Sequence, residues 1–125
     1  MAAAVNYAGS LICLKRFEEA RSLLRETIPA ARRVLREGHR VTLIMRNIYS
    51  KALYYDTDAT LDDLREAVTT LEDVERIARR VLGPANPTTA TLGRSLRDAR
   101  AALNASVRSA AADALTGDFP NLVVL

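Results

Sequence analysis

The sequence predicts an all-α protein, a right-handed α-solenoid of antiparallel helix pairs with about two and a half repeats. The first observation behind this prediction is an internal repeat, because Ala31–Leu35 returns as Ala78–Leu82, 47 residues later (31 to 78). The second is that apolar residues recur at helical spacing, with no convincing strand before the tail. One helical unit copied at a fixed period is typical of proteins that stack hairpins on one another.

Length and composition fit one small helical domain. The chain has 125 residues, of which 49% are apolar and 26% charged, and its net charge is +3. So small an excess of basic residues does not indicate nucleic acid as a partner. The single cysteine, Cys13, excludes an intrachain disulfide framework and favours a cytoplasmic location. No apolar stretch reaches the roughly 18 residues that a membrane span needs, so no span is predicted.

The first two predicted helices cover roughly residues 3–14 and 17–35. In the second, apolar residues occupy every third or fourth position, which is the spacing of an amphipathic helix. Gly38 is expected to end this helix as a C-terminal cap. Pro29 lies inside it and removes one backbone donor, so we expect a kink over residues 25–29.

The third helix is predicted over residues 40–54 and the fourth up to about Leu82. Residues 56–59 between them are expected to form a loop. Thr60 follows this loop and Asp63 comes three residues later, which is the spacing of a capping box at a helix start.

Asn86 and Pro87 predict the start of a fifth helix, with asparagine as the cap and proline in the first turn. This helix is expected to reach about Leu115, with Gly117 closing it. The predicted repeats are about 3–37, 40–84 and 87–116 within a repeat domain of residues 1–116. A short apolar tail, 117–125, would then either fold back over the last helix or remain exposed.

Part of the first two helices resembles the tetratricopeptide repeat. That repeat has a small residue on helix A, an aromatic residue that opens helix B, and alanine where the two helices cross. The matching residues here are Ala8, Leu11, Arg16-Phe17-Glu18-Glu19-Ala20 and Leu23-Leu24. The resemblance implies that Ala8 and Ala20 lie where the helices approach each other most closely.

The turn after the second member of each pair resembles the linker of kinesin light chain repeats, Val-Leu-Gly-Pro-x-His-Pro-x-Thr. Val81–Thr89 carries the pattern closely, and Val34–Thr42 carries a weaker form. His39 stands at the histidine position of that linker, and Asn86 replaces it in the second copy. The resemblance covers roughly residues 4–103. No sustained heptad precedes the repeats, so the motor-binding role of a kinesin light chain does not carry over.

In tetratricopeptide solenoids the first helix of each pair lines a concave groove that binds peptides, and the resemblance implies such a groove here. Asn6, Asn47 and Arg94 take the position of the family's groove asparagine in three successive copies. Arg46 and Lys51 are expected to contribute to the same groove. The alternative, that Asn6 and Asn47 are merely tolerated polar residues of their helices, stays open.

Arginines gather in each copy and form the other candidate for a binding role. They are Arg32, Arg33, Arg36 and Arg40, then Arg76, Arg79 and Arg80, then Arg94, Arg97 and Arg100. Pairs such as Asp73–Arg76 have the spacing of surface ion pairs on a helix, so a solvated, paired face is the favoured interpretation. An acidic-peptide groove is the alternative. Nucleic acid is disfavoured because no aromatic residues are interleaved for base stacking.

The sequence therefore predicts a non-enzymatic scaffold that binds a peptide or a partner protein, with self-association as a further expectation. His39 is the only histidine, and no Cys/His cluster or nucleophile motif accompanies Cys13. No catalytic residue, metal, cofactor or small-molecule substrate is predicted. The alternative is a structural fragment or capping piece of a longer repeat array, with no ligand of its own.

Overall fold

Five α-helices account for most of residues 2–116, the part of the chain that the computed structural model describes. They are α1 (Ala2–Cys13), α2 (Phe17–Leu35), α3 (Arg40–Tyr54), α4 (Leu61–Val81) and α5 (Pro87–Thr116). The predicted all-α class is thus confirmed. The predicted tail and the closing role of Gly117 lie outside the described residues. Within residues 2–116, no helix combines the length and the apolar character needed to cross a membrane.

The starts of α4 and α5 follow the predicted capping chemistry. The Thr60 hydroxyl accepts a hydrogen bond from the Asp63 backbone N–H at 3.1 Å, and the Asp63 carboxylate accepts one from the Thr60 N–H at 3.0 Å. This reciprocal pair is the predicted capping box. At the start of α5, the Asn86 side-chain oxygen accepts from the Thr88 N–H at 2.9 Å. Both helices therefore begin where their sequence satisfies the first free backbone donors.

The end of α2 differs from the prediction. Gly38 is not the cap, because the helix ends at Leu35 and the positive φ of 74° at this end belongs to Arg36. Gly38 has a different role, since a Cβ at this position would lie 3.1 Å from Cγ2 of Val81. Pro29 lies inside α2, which runs from Phe17 to Leu35, and the kink over residues 25–29 stays a prediction.

Successive helices pack against each other, and α3 lies at the centre of the arrangement. α3 contacts α2 and α4, its neighbours in the chain, and also α1 and α5. The loops between helices are short, so each helix packs beside the one before it. The sequential packing places α1, α3 and α5 next to one another.

The core is made of leucine, alanine, isoleucine, valine and methionine. One cluster joins α3, α4 and α5 around Leu71 and Leu92, and others join α1, α2 and α3 around Leu24 and Ala20. Ala8 and Ala20 are both completely buried, as expected of positions where helices approach closely. Small residues at these positions let helix backbones come together without a side chain between them.

Apolar residues at helical spacing in α1 and α5 extend beyond the core. Tyr7 of α1 is 55% exposed and Leu14, just after α1, is 64% exposed, so the buried residues of α1 are only Ala8 and Leu11. On α5, burial extends only to the first half of the helix, and residues 107–115 are all exposed. An apolar residue at helical spacing is buried only where another element lies opposite it.

Candidate peptide-binding groove

A groove between α3 and the first turns of α5 contains one of the predicted binding residues, Asn47. This α3–α5 groove has a volume of about 310 Å³. It is lined by Arg40, Ile44, Asn47, Pro87, Thr88, Thr91 and Leu92. The α3 residues recur at spacings of four and three, so they share one face of that helix. The groove thus combines an apolar floor with polar groups from both helices.

Asn47 is the polar residue set most deeply in the α3–α5 groove. It is only 6% exposed, and its side-chain oxygen Oδ1 is buried without a hydrogen-bond partner among the described residues. A buried acceptor left unpaired costs free energy, so it favours any group that donates a hydrogen bond to it. A peptide backbone N–H is such a donor. The arrangement can therefore hold an extended chain by its main chain.

Arginines stand at the rim of the α3–α5 groove. Arg40 donates from Nε to the Thr88 hydroxyl at 3.4 Å. Arg94, one of the predicted site residues, is exposed and donates from Nη2 to the hydroxyl of Thr91 at 3.1 Å. Asn47 lines this groove directly. Arg94 lies at its rim, because its hydrogen-bond partner Thr91 lines the groove.

Asn6 lies in a different groove, on the other side of α3. This α1–α3 groove has a volume of about 730 Å³ and is lined by Val5, Asn6, Gly9, Ser10, Cys13, Leu14 and Ile48. Asn6 is exposed, whereas Asn47 is buried. The two asparagines therefore occupy neighbouring grooves in different surroundings, although the sequence aligned them.

Lys51 faces an aromatic ring. Its Nζ lies 5.9 Å from the ring centroid of Tyr55, a cation–π distance. The lining residues of the α3–α5 groove do not include Lys51. The contribution of Lys51 to peptide binding stays a prediction.

Arg46 was expected in the peptide groove, but it is not among the lining residues of the α3–α5 groove. Its side chain points to the opposite side of α3, where Nη2 lies 2.9 Å from Oδ2 of Asp73 on α4. The reason is helix geometry, because consecutive residues of an α-helix point about 100° apart. Arg46 and Asn47 therefore cannot line the same face.

Sequence reasoning missed the threonines of the α3–α5 groove. Thr88 and Thr91 supply its polar groups from α5, and neither was a predicted site residue. The signal was present in Pro87, which fixes the first turn of α5. Pro87 and Thr91 are one helical turn apart, so they share a face with Thr88 beside them.

Two tyrosines of α3 have perturbed ionisation. Burial raises the pKa of Tyr54 above its ordinary value. The pKa of Tyr49 is also raised, first by burial and then by the hydrogen bond that its hydroxyl donates to Glu66. Both side chains are neutral at physiological pH. Between Ala2 and Thr116, no three His, Cys, Asp or Glu side chains are grouped so that they could hold a metal ion.

No family model, no curated protein and no solved structure matches this chain. Statements about its function must therefore come from its own residues and their arrangement. Among these, the buried, unpaired oxygen of Asn47 is the group in the α3–α5 groove that most clearly favours a ligand.

Proposed function

We propose that this chain is a non-enzymatic scaffold of the tetratricopeptide type that binds a peptide or a partner protein along α1, α3 and α5. The observation that carries the proposal is Asn47, whose buried side-chain oxygen faces no donor in the described residues while its side chain lines the α3–α5 groove. The single cysteine favours a reducing, cytoplasmic setting for this scaffold.

The burial pattern supports a repeated architecture. Six pairs of residues that are 47 positions apart are buried in both members. They are Ala20 and Ala67, Leu24 and Leu71, Ala31 and Ala78, Thr42 and Thr89, Met45 and Leu92, and Ala52 and Ala99. Shared burial at these six pairs is what we expect when one hairpin is built repeatedly.

The turns between repeats support the same architecture. His39 accepts a hydrogen bond at Nδ1 from the N–H two residues later, at 3.1 Å. Asn86, 47 positions further on, accepts one from the N–H two residues later at 2.9 Å. The two residues differ in type but cap the next helix in the same way. This agreement favours stacked units of about 3–37, 40–84 and 87–116.

The packing order supports a peptide-binding face. α1 contacts α3, and α3 contacts α5, as helix A of each pair contacts the next in a stack of hairpins. In that arrangement α1, α3 and α5 form the inner layer, and α2 and α4 the outer one. The right-handed sense and the concave shape of the inner layer belong to the proposal.

The chemistry of the groove indicates the kind of peptide. Asn47 can accept from the peptide backbone, and Ile44 and Leu92 offer an apolar floor. Arg40 and Arg94 are exposed at the rim, where they would attract acidic side chains. We therefore expect an extended segment with an apolar residue flanked by Asp or Glu.

The test is a selection of peptides from a displayed random library on the purified protein, followed by titration of the enriched peptides. Asn47→Ala should weaken their binding by about tenfold, because the buried acceptor is lost. Asn104→Ala, an exposed position on α5 outside the groove, is the matched control and should bind like the parent. Equal affinity of the Asn47→Ala and parent proteins would show that the peptide binds elsewhere.

A second candidate function, a structural or capping piece of a larger array, is favoured by the exposed apolar residues of α5. Val107 is 44% exposed and Leu115 is 76% exposed. A piece that joins a larger array should bind its own kind through such residues. Sedimentation at micromolar concentration separates the two candidates, because the capping piece should self-associate and bind no selected peptide.

A further inference from the structure

The side of the molecule opposite the α3–α5 groove contains a second hollow, between α2 and α4 with α3 as its floor. This outer cleft has a volume of about 230 Å³. Its polar lining consists of Arg25, Arg32, Arg46, Tyr49, Glu66 and Thr70. Three guanidinium groups and one carboxylate therefore line the cleft.

Arg46 is the fixed cation of the outer cleft. Its side chain is only 9% exposed, and Nη2 is held 2.9 Å from Oδ2 of Asp73. The other terminal nitrogen, Nη1, is buried and has no hydrogen-bond partner in the described part of the chain. A guanidinium carries five N–H donors in a planar fork, and a carboxylate or phosphate matches two of them at once. The unpaired Nη1 is therefore a donor held in place for an anion.

Asp73 does not neutralise this site fully. Its second oxygen, Oδ1, pairs with Arg76, so one carboxylate is shared by two guanidinium groups. A buried or half-buried cation that shares its counterion favours a further negative charge nearby. The charge of Arg46 is therefore only partly neutralised, and Arg46 favours an additional anionic partner.

Glu66 does not occupy the place of that partner. Its Oε2 accepts a hydrogen bond from the Tyr49 hydroxyl at 2.6 Å. The pKa of Arg25 is raised chiefly by its hydrogen bond with Tyr49, which places the Arg25 guanidinium beside the same hydroxyl. Tyr49, Glu66 and Arg25 thus form a connected polar group at one wall of the cleft.

The two outer arginines are free to exchange their partners. Arg32 pairs with Glu37 at 3.1 Å, and Arg25 pairs with Glu18 at 3.8 Å, and these four side chains are substantially exposed. Exposed ion pairs contribute little stability, so an incoming anion can replace them at small cost. Arg32 and Arg25 can therefore close over a group that Arg46 binds first.

We propose that the outer cleft binds a compact oxyanion, a carboxylate or a phosphate group, with Arg46 as the fixed donor and Arg32 as a closing cation. The cleft is large enough, because a group of a few heavy atoms needs little more space than two or three waters of about 30 Å³ each. The site lies on the far side of α3 from Asn47. It is independent of the peptide groove, and a ligand can occupy either site without the other.

The test is a titration of the 125-residue chain at low salt, separately with inorganic phosphate and with succinate, followed by NMR amide shifts. We expect saturable 1:1 binding of at least one of them, with shifted amides on α2 and α4 around the cleft. Binding should weaken at least about tenfold in Arg46→Gln and about threefold in Arg32→Gln, since each removes a charge-assisted hydrogen bond. Phosphate binding alone would assign a phosphate ligand, and succinate binding alone a carboxylate.

The matched control is Arg79→Gln, which removes an exposed arginine of α4 that pairs with Glu75 on its own helix. It changes the net charge as Arg46→Gln does and should leave the affinity unchanged. If Arg46→Gln fails to fold by circular dichroism, Arg32→Gln and Thr70→Val still test the cleft, because neither position is fully buried. Absence of saturable binding, or equal weakening in Arg79→Gln, would overturn the proposal and leave the Asn47 peptide test unaffected.

Discussion

Gly38 and Val81 mark a contact between the turn after α2 and the end of α4. A β-carbon on Gly38 would lie 3.1 Å from Cγ2 of Val81, closer than most such carbons approach a neighbour. The backbone at Gly38 does not take the left-handed conformation that requires glycine. Glycine therefore fits this position because a larger residue would crowd Val81, and not because the backbone conformation requires it. The linker-like segments Val34–Thr42 and Val81–Thr89 meet at this contact.

The contact predicts an interaction between substitutions at the two positions. Gly38→Ala restricts the unfolded chain, which stabilises by about 0.4–1 kcal/mol, but crowding against Val81 opposes that gain. In a Val81→Ala background the crowding is gone, so Gly38→Ala should be more favourable there by about 0.5 kcal/mol or more. Urea denaturation of the four proteins measures the difference.

The control for this double-mutant cycle is Gly93→Ala. A Cβ at Gly93 meets no atom within 4 Å, and the residue lies inside α5. Gly93→Ala should stabilise the parent protein and the Val81→Ala variant equally. Additive effects of Gly38→Ala and Val81→Ala would contradict the contact.

The capping box at the start of α4 predicts a specific loss of stability. Thr60→Ala removes the acceptor of the Asp63 N–H and should lower the free energy of unfolding by about 1 kcal/mol. Thr57→Ala, at an exposed position of the preceding loop, should change it by less than about 0.5 kcal/mol. Chemical denaturation followed by circular dichroism gives both values. Equal effects of the two substitutions would mean that the cap does not stabilise α4.

Equivalent positions of the proposed repeats should respond alike to truncation. Leu24 and Leu71 are both completely buried, and each Leu→Ala substitution should cost about 2–5 kcal/mol. If they occupy the same place in stacked hairpins, the two costs should agree within about 1 kcal/mol, since similar surroundings collapse similarly. Val34→Ala, at a position 71% exposed, serves as the surface control. The repeated architecture would be contradicted if one leucine substitution lowered the free energy of unfolding strongly and the other lowered it no more than Val34→Ala.

Burial of Tyr54 predicts a loss of stability in alkali. Its pKa in the folded protein is raised above the usual value of 10.0, so the stabilisation is complete below that pH. Above it the unfolded chain releases the tyrosine proton and the folded protein retains it. The free energy of unfolding should then fall by up to about 1.4 kcal/mol per pH unit from this residue. Denaturation between pH 9 and 11, a range of about one unit either side of the tyrosine value, measures the slope.

Tyr54→Phe should make this alkaline slope shallower. Tyr49 also has a raised pKa, so part of the slope should remain in that variant. Tyr7→Phe removes an exposed tyrosine of α1 and is the control that should keep the parent slope. An unchanged slope in Tyr54→Phe would mean that Tyr54 ionises alike in both states.

Local chemistry made much of the fold predictable. The bounds of α2 and α3 agree with the predicted ones, and the starts of α4 and α5 were set by residues that satisfy free backbone donors. These features depend on neighbours a few residues away, and the sequence displays such neighbours directly. The burial of Ala20 was predictable for a similar reason, because a small residue in an apolar stripe marks close packing.

Features set by distant parts of the chain were harder to predict. Gly38 looked like a helix cap because its actual constraint, Val81, is more than forty residues away in sequence. Arg46 lies outside the lining of the α3–α5 groove, because the direction of its side chain depends on Asp73 of α4 and on the rotation of α3. The unpaired oxygen of Asn47 and the grouping of three arginines in the outer cleft also arise only when helices meet.

α5 extends well beyond the core that its first half packs against. α5 has 30 residues, yet Leu92, Leu96 and Ala99 are buried while residues 107–115 are exposed. The packed first half of α5 provides the helix nucleus, whose formation is unfavourable. The exposed second half only extends this existing helix, which is easier. Its alanine-rich sequence favours this growth. The local stability of α5 should therefore decrease from turn to turn after its packed half, without a sharp boundary.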